Sequence, residues 1–257
     1  MTNMAGRHWL LLRGLCRETA HWGDFPAWLQ TAFPESTVST LDLPGTGRFY
    51  RQISPNSIEA ITEHARLQAL QDGLLAQPVT VLALSLGGMV AWEWMRRYPQ
   101  DIAAAALVNT SFAGLSPFYR RLRWQSYRQF LGLLLERELY ERELAIIRLI
   151  SNRRTHDLET AAAWAEIQQA RPIGFTNAVR QIVAASRYRP GNHKPKTPVL
   201  LLNSRCDRLV APACSDAIHE KWQIETVSHP WAGHDLSLDD GAWLVNRLKD
   251  WTTQLTV

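Results

Sequence analysis

Apolar and polar positions along the chain fall into two regimes. Up to Ser111, short apolar runs alternate with longer stretches of helical period. His8–Arg13 (H-W-L-L-L-R) is a first apolar run and closes at Gly14. From His21 onward, Trp22, Phe25, Trp28, Leu29 and Phe33 recur at helical spacing. Val38–Leu43 is the next strand and runs into the turn Asp42-Leu43-Pro44-Gly45-Thr46-Gly47. Residues 57–75 carry Ile58, Ile61, Ala65, Leu67, Leu70, Leu74 and Leu75 at helical spacing, behind Ser57 as N-cap. Val79–Leu82 and Ala103–Val108 are two more strands, with a helix between them that carries Trp92 and Trp94 and ends before Pro99. Strands that are apolar throughout are buried on both faces. Their regular alternation with helices predicts a parallel sheet covered by helices on both sides.

Residues 112–190 break this rhythm. They contain no strand-like run but four helical stretches, roughly 117–135, 136–151, 157–170 and 174–187. After Pro190-Gly191 the alternation resumes: a strand at Pro198–Asn203, a helix at 213–222, a strand at Ile224–Val227 and a final helix at 241–255. The expected fold class is therefore α/β, a mostly parallel sheet with helices on both faces. Its core is formed by residues 1–111 and 191–257, and residues 112–190 form an inserted all-helical lid.

Composition agrees with this division. With 257 residues, 46% hydrophobic and 20% charged, the chain suits one core with an insertion. No apolar run reaches the ~18 residues of a membrane span. Trp9–Leu12 is too short for a secretory signal and is interrupted by Arg13. The three cysteines, Cys16, Cys206 and Cys214, form no metal-like cluster and suit reduced thiols. A cytoplasmic location is the resulting expectation. The net charge of +4 is concentrated in the insertion, where residues 112–190 carry 13 arginines against 7 carboxylates. So modest a charge, with no recognised motif, argues against nucleic-acid binding.

The candidate chemistry begins at Ala83-Leu84-Ser85-Leu86-Gly87-Gly88, where a buried strand passes through a serine and two glycines into a helix. Strand, sharp turn at serine, then helix is a nucleophile elbow. The turn lifts the hydroxyl clear of the sheet, and the first helical N–H groups face the reacting oxygen. In a parallel sheet, ligands bind beyond the carboxyl ends of the strands, so partners are sought there. Asp207 follows the strand Pro198–Asn203, and His234 follows Ile224–Val227. A serine hydroxyl needs a neighbouring imidazole to take its proton, and the imidazole needs a carboxylate to hold its tautomer. Ser85, Asp207 and His234 supply these parts in the order Ser…Asp…His. Asp235, Asp239 and Asp240 read as caps of the final helix. His229 lies early in its loop, and His156, His193 and His219 read as surface residues. Leu86 N–H and Leu15 N–H are the candidate oxyanion donors. Phe112, Leu115, Phe118 and Tyr119 follow a strand end and are candidates for lining the substrate pocket.

Taken together these residues resemble the α/β-hydrolase superfamily, in particular small cytosolic carboxylesterase-like serine hydrolases with a helical lid. The resemblance rests on R-G-L at 13–15 followed by Trp22, L-D-L-P-G-T-G at 41–47, A-L-S-L-G-G at 83–88, C-D-R-L-V at 206–210 and A-G-H-D at 232–235. It implies hydrolysis of a small or medium carboxylic ester through an acyl-enzyme on Ser85, with no metal and no organic cofactor. Three departures stand out. Arg13-Gly14 replaces the usual His-Gly, Ala83 opens the elbow, and the two leading antiparallel strands common in the family are expected to be missing or shortened. Two other readings remain open. One is a carrier-protein-linked ester or thioester hydrolase, similar to the methyl-ester hydrolase of biotin synthesis, whose acidic carrier would meet Arg120, Arg121, Arg123 and Arg128. The other is a non-catalytic binding protein on the same fold.

Overall fold

The computed structural model describes residues 6–255. Six strands form one sheet: β1 (His8–Leu12), β2 (Thr37–Leu41), β3 (Val79–Leu84), β4 (Ile102–Val108), β5 (Val199–Ser204) and β6 (Thr226–His229). Their spatial order is β2-β1-β3-β4-β5-β6, and every pairing is parallel. The order reverses between β1 and β3, which run side by side with Leu12 opposite Ala83. A crevice at the carboxyl ends of two such strands is where a doubly wound sheet places its ligand. Gly14 and Ser85 lie just past those two ends.

Side-chain alternation builds two core layers. Leu10, Leu12, Val81, Ala83, Ala105, Leu107 and Leu201 point to one face, under α2 (Ile58–Gln71), α3 (Leu86–Arg97) and α9 (Ala213–Trp222). Trp9, Leu11, Leu82, Leu84, Ala104, Ala106, Leu200 and Leu202 point to the other, under α1 (Phe25–Ala32) and α10 (Leu236–Gln254). Strands buried on both sides must be apolar at successive positions, which is why they read as continuous runs. Trp92 and Trp94 are fully enclosed in the first layer. Ser57 caps α2, its hydroxyl accepting from Ala60 N at 3.2 Å.

Between β4 and β5 the chain forms only helices among the described residues: α4 (Phe118–Arg121), α5 (Tyr127–Leu135), α6 (Leu139–Ile150), α7 (Asp157–Ala170) and α8 (Phe175–Arg187). The helix expected over 117–135 is broken. Leu122 is extended, because Arg123 N donates to Leu209 O at 2.9 Å and Ala211 N donates to Arg120 O at 2.8 Å. Hydrogen bonds to the loop after β5 replace helical ones there. The last helix starts at Leu236, five residues before the expected start, and kinks at Asp240 (φ −152°, ψ 69°). α6 and α7 share a small core of their own, Leu144, Ile147, Ile150, Ala161 and Trp164, against which Leu209 and Leu238 of the main body pack.

Candidate active site

Ser85 sits between β3 and α3 with φ +56° and ψ −114°. A non-glycine residue held there costs about 1–3 kcal/mol, so its surroundings must impose it. Ser85 N donates to Val108 O at 2.8 Å, while Ser85 O accepts from Thr110 Oγ1 at 2.8 Å and Gly88 N at 2.9 Å. Small residues are required around it. A Cβ on Gly87 would lie 2.7 Å from the carbonyl oxygens of Leu12 and Arg13, and one on Gly88 would lie 2.7 Å from Thr110 Cβ. Gly14 is so near the serine that its Cβ would meet Ser85 Cβ at 3.1 Å. The alanine at position 83 is inside the sheet and fully buried.

The N–H groups of Leu15 and Leu86 have no acceptor among the described residues. Leu86 is the first helical residue, where an N–H has no intrahelical partner. Leu15 follows Gly14 in the loop pressed against Ser85. Binding a developing negative charge requires two such N–H groups aimed at one point beside the nucleophile. In the adjacent Cys16, burial pushes the thiol up to about 12, which disfavours the thiolate.

Asp207 and His234 are both buried and meet directly, with Asp207 Oδ2 2.7 Å from His234 Nδ1. Asp207 Oδ1 accepts from Leu209 N at 2.7 Å and Val210 N at 2.9 Å, so both carboxylate oxygens are occupied. An acceptor at Nδ1 places the imidazole proton there and leaves Nε2 as a base. The structure thus brings together the two partners that the loop positions suggested.

Four residues whose contacts here the sequence did not reveal hold this assembly. Asn109, at the end of β4 with φ +47°, donates from Nδ2 to His234 O at 2.8 Å and accepts Ser204 N at 2.9 Å. Arg13 and Asp235 form a buried ion pair at 2.6 Å, with the Arg13 guanidinium over the Trp22 ring at 4.6 Å. Burial pushes the Asp235 carboxyl up. The charge and hydrogen bond of Arg13, with help from Ser237 and Leu238 N–H, outweigh this and hold it below the usual carboxylate range. The fourth, Asp239, does not cap the helix as expected. It is fully buried and accepts from Ser151 Oγ at 2.6 Å and Gly233 N at 2.5 Å. Asp235 and Asp240 do cap, accepting from Leu238 N and Trp243 N. His229 is buried at the end of β6, bonded to Asp240 at 3.2 Å. His156, His193 and His219 are all exposed, and His219 also contacts Ile224 O at 2.7 Å.

The residues considered for the pocket are scattered. Phe112 is wholly enclosed among Trp92, Tyr188 and Trp222 and has no surface left for a ligand. Leu115 packs against the same core, whereas Phe118 and Tyr119 are about half exposed at 49% and 53%. A cavity of about 510 Å³ opens elsewhere, between α1 and the pair α6–α7, walled by Trp22, Trp28 and Trp164; Ser85, Asp207 and His234 do not line it. Of the four arginines considered for a carrier, two are used inside the fold. Arg121 is buried and donates to the carbonyls of Ala185 and Ser186, and Arg123 donates to Asp207 O at 2.6 Å. Arg120 and Arg128 remain exposed. Among the described residues no group of three or more His, Cys, Asp or Glu side chains is disposed to hold a metal ion. No described helix is long and apolar enough to cross a membrane.

Comparison with known proteins agrees with this fold. A model of the alpha/beta hydrolase family matches residues 8–247. Among curated proteins, methyl jasmonate esterase 1 of Vitis vinifera is 30% identical over 122 residues, and the match spans 45% of either chain. Solved structures with the same fold include the enol-lactonase from Burkholderia xenovorans LB400 (TM-score 0.75, 18% identity, 96% of this chain and 92% of that one). Others are the esterase RhEst1 from Rhodococcus sp. ECU1013 (TM-score 0.75, 18% identity, 98% and 92%) and a thermophilic esterase from Thermogutta terrifontis (TM-score 0.73, 20% identity, 98% and 92%).

Proposed function

Because the chain belongs to the alpha/beta hydrolase family, we propose that it cleaves a small or medium carboxylic ester through an acyl-enzyme on Ser85. The observation that carries this reading is the buried Asp207–His234 contact at 2.7 Å, beyond the carboxyl ends of the strands, where the strained Ser85 also lies. The family's esterases and the partial similarity to a methyl jasmonate esterase support an ester as the substrate.

In the first half-reaction His234 Nε2 takes the Ser85 proton as Oγ attacks the ester carbonyl. The N–H groups of Leu15 and Leu86 bind the oxyanion of the tetrahedral intermediate. Its C–O bond to the alcohol breaks, and the leaving oxygen takes the proton from the imidazolium. Water then attacks the acyl group, with His234 again accepting the proton, and the acyl–Oγ bond breaks as the imidazolium returns that proton to Ser85 Oγ and the acid departs. Asp207 keeps the proton on Nδ1 and stabilises the positive ring in both halves.

Turnover of p-nitrophenyl acetate, butyrate and octanoate tests the reading. Ser85→Ala is expected to abolish turnover, and Asp207→Asn to lower kcat by about 10⁴ with little change in KM. Full activity in Ser85→Ala would overturn the reading, and the chain-length trend sizes the acyl pocket.

A further inference from the structure

The end of α6 lies flush against both loops that carry the site. We propose that Asn152, two residues beyond α6, is a positioning residue that sets the Asp207 loop and the His234 loop in register; this rests on the serine-hydrolase reading above. Its side-chain amide donates to the Cys206 carbonyl at 3.1 Å and to the Trp231 carbonyl at 2.9 Å. Cys206 immediately precedes Asp207, and Trp231 lies three residues before His234. One amide therefore spans two loops that leave different strands, β5 and β6.

Asn152 can set register only if its own backbone is fixed, and it is. Asn152 N donates to both oxygens of buried Asp239 at 3.0 Å, and Arg153 N donates to the same carboxylate at 3.0 Å. Asp239 also takes Gly233 N, one residue before His234. Asp235 N, one residue after it, donates to Ile150 O at 2.9 Å. The fit leaves no slack, since a Cβ on Gly233 would lie 2.5 Å from that same oxygen. From the other loop, the Arg208 guanidinium reaches the Arg148 carbonyl and, at 2.6 Å, the Ser151 carbonyl.

The residue type follows from the contacts. Two carbonyl oxygens must be met by two donors on one short, uncharged group, which a primary amide supplies. An aspartate of the same shape would face both carbonyls with acceptors. The amide meets only backbone carbonyls of the two loops, so its effect passes through the Asp207–His234 geometry. A misplacement of about 1 Å between reacting groups can cost about 10²-fold in rate. The insertion thereby contributes to the site through Asn152.

The test is the rate of fluorophosphonate labelling of wild type, Asn152→Ala, Asn152→Asp and Asn152→Gln, with Tm, labelled fraction, kcat and KM for p-nitrophenyl butyrate. The expected result is full labelling stoichiometry in every variant. Rates and kcat should fall about 10- to 100-fold in Asn152→Ala and Asn152→Asp, with KM within about twofold and partial recovery in Asn152→Gln. A purely structural role would move Tm and the labelled fraction and leave the rate per folded molecule unchanged. Labelling of Asn152→Ala and Asn152→Asp at the wild-type rate would overturn the positioning role alone. A wild type that does not label would overturn the serine-hydrolase reading and the positioning role with it.

Discussion

Arg13 opens the loop Arg13-Gly14-Leu15, and its buried pair with Asp235 links that loop to the residue after His234. Removing one partner of such a pair leaves a buried charge uncompensated, at a cost of about 3–5 kcal/mol. Asp235→Asn should therefore lower stability by that amount in urea titrations at pH 7. The pH dependence has a definite sign. The folded Asp235 carboxyl titrates below its ordinary value, so its contribution is present above the unfolded value of about 4 and is lost as pH falls through the folded one. Asp235→Asn should flatten that acid loss of stability, and an unchanged acid limb would contradict the assignment. At this scale the placement of Ser85, Asp207 and His234 just beyond strand ends was legible, because each follows a strand run that the pattern already marks. Asn109, Asn152 and Asp239 were not, since their partners lie 87 or more residues away or are backbone groups without a local signature. Arg13 was visible as a departure, but Asp235 looked like a helix cap, and it is both cap and ion-pair partner.

Among the elements, the elbow depends on two backbones crossing closely. Gly87→Ala would put a methyl 2.7 Å from two carbonyl oxygens of the segment leading to Leu15. These are backbone atoms that cannot rotate aside, so the substitution should destabilise by about 1–3 kcal/mol and also slow turnover by displacing the oxyanion loop. Thermal unfolding beside kcat checks this, and wild-type values for both would contradict the packing described. Strands buried on both faces were easy to read, because apolar runs bounded by turns have few other interpretations. The break in the helix expected over 117–135 was not readable. It arises from hydrogen bonds between residues 120–123 and residues 209–211, which are nearly ninety positions away in sequence. The early start of α10 was hidden by polar Ser237, Asp239 and Asp240, whose side chains find partners rather than solvent.

Across the whole molecule, the helical insertion is fastened to the core at several points. Arg17–Glu143 is a buried ion pair at 2.9 Å, Arg171 pairs with Glu18, and Gln181 accepts Cys16 N at 2.9 Å. With the ties at Ile150–Arg153, these make α6 to α8 part of the same packed body as the sheet. By contrast α5 leaves Leu131 and Leu135 exposed at 61% and 74%. Hydrogen exchange should therefore find the amides of Asn152, Gly233 and Asp235 exchanging only with global unfolding, and those of α5 through local opening. Exchange at Gly233 as fast as in α5 would mean that the insertion lifts away as a unit.

All three scales meet in the claim that Ser85 is the activated nucleophile. Intact-mass analysis of wild type and Ser85→Ala after fluorophosphonate treatment tests it most directly. One adduct per wild-type chain, located on the peptide containing Ser85 and absent from Ser85→Ala, is the expected result. An unlabelled wild type, or a variant labelled as fully as wild type, would contradict it.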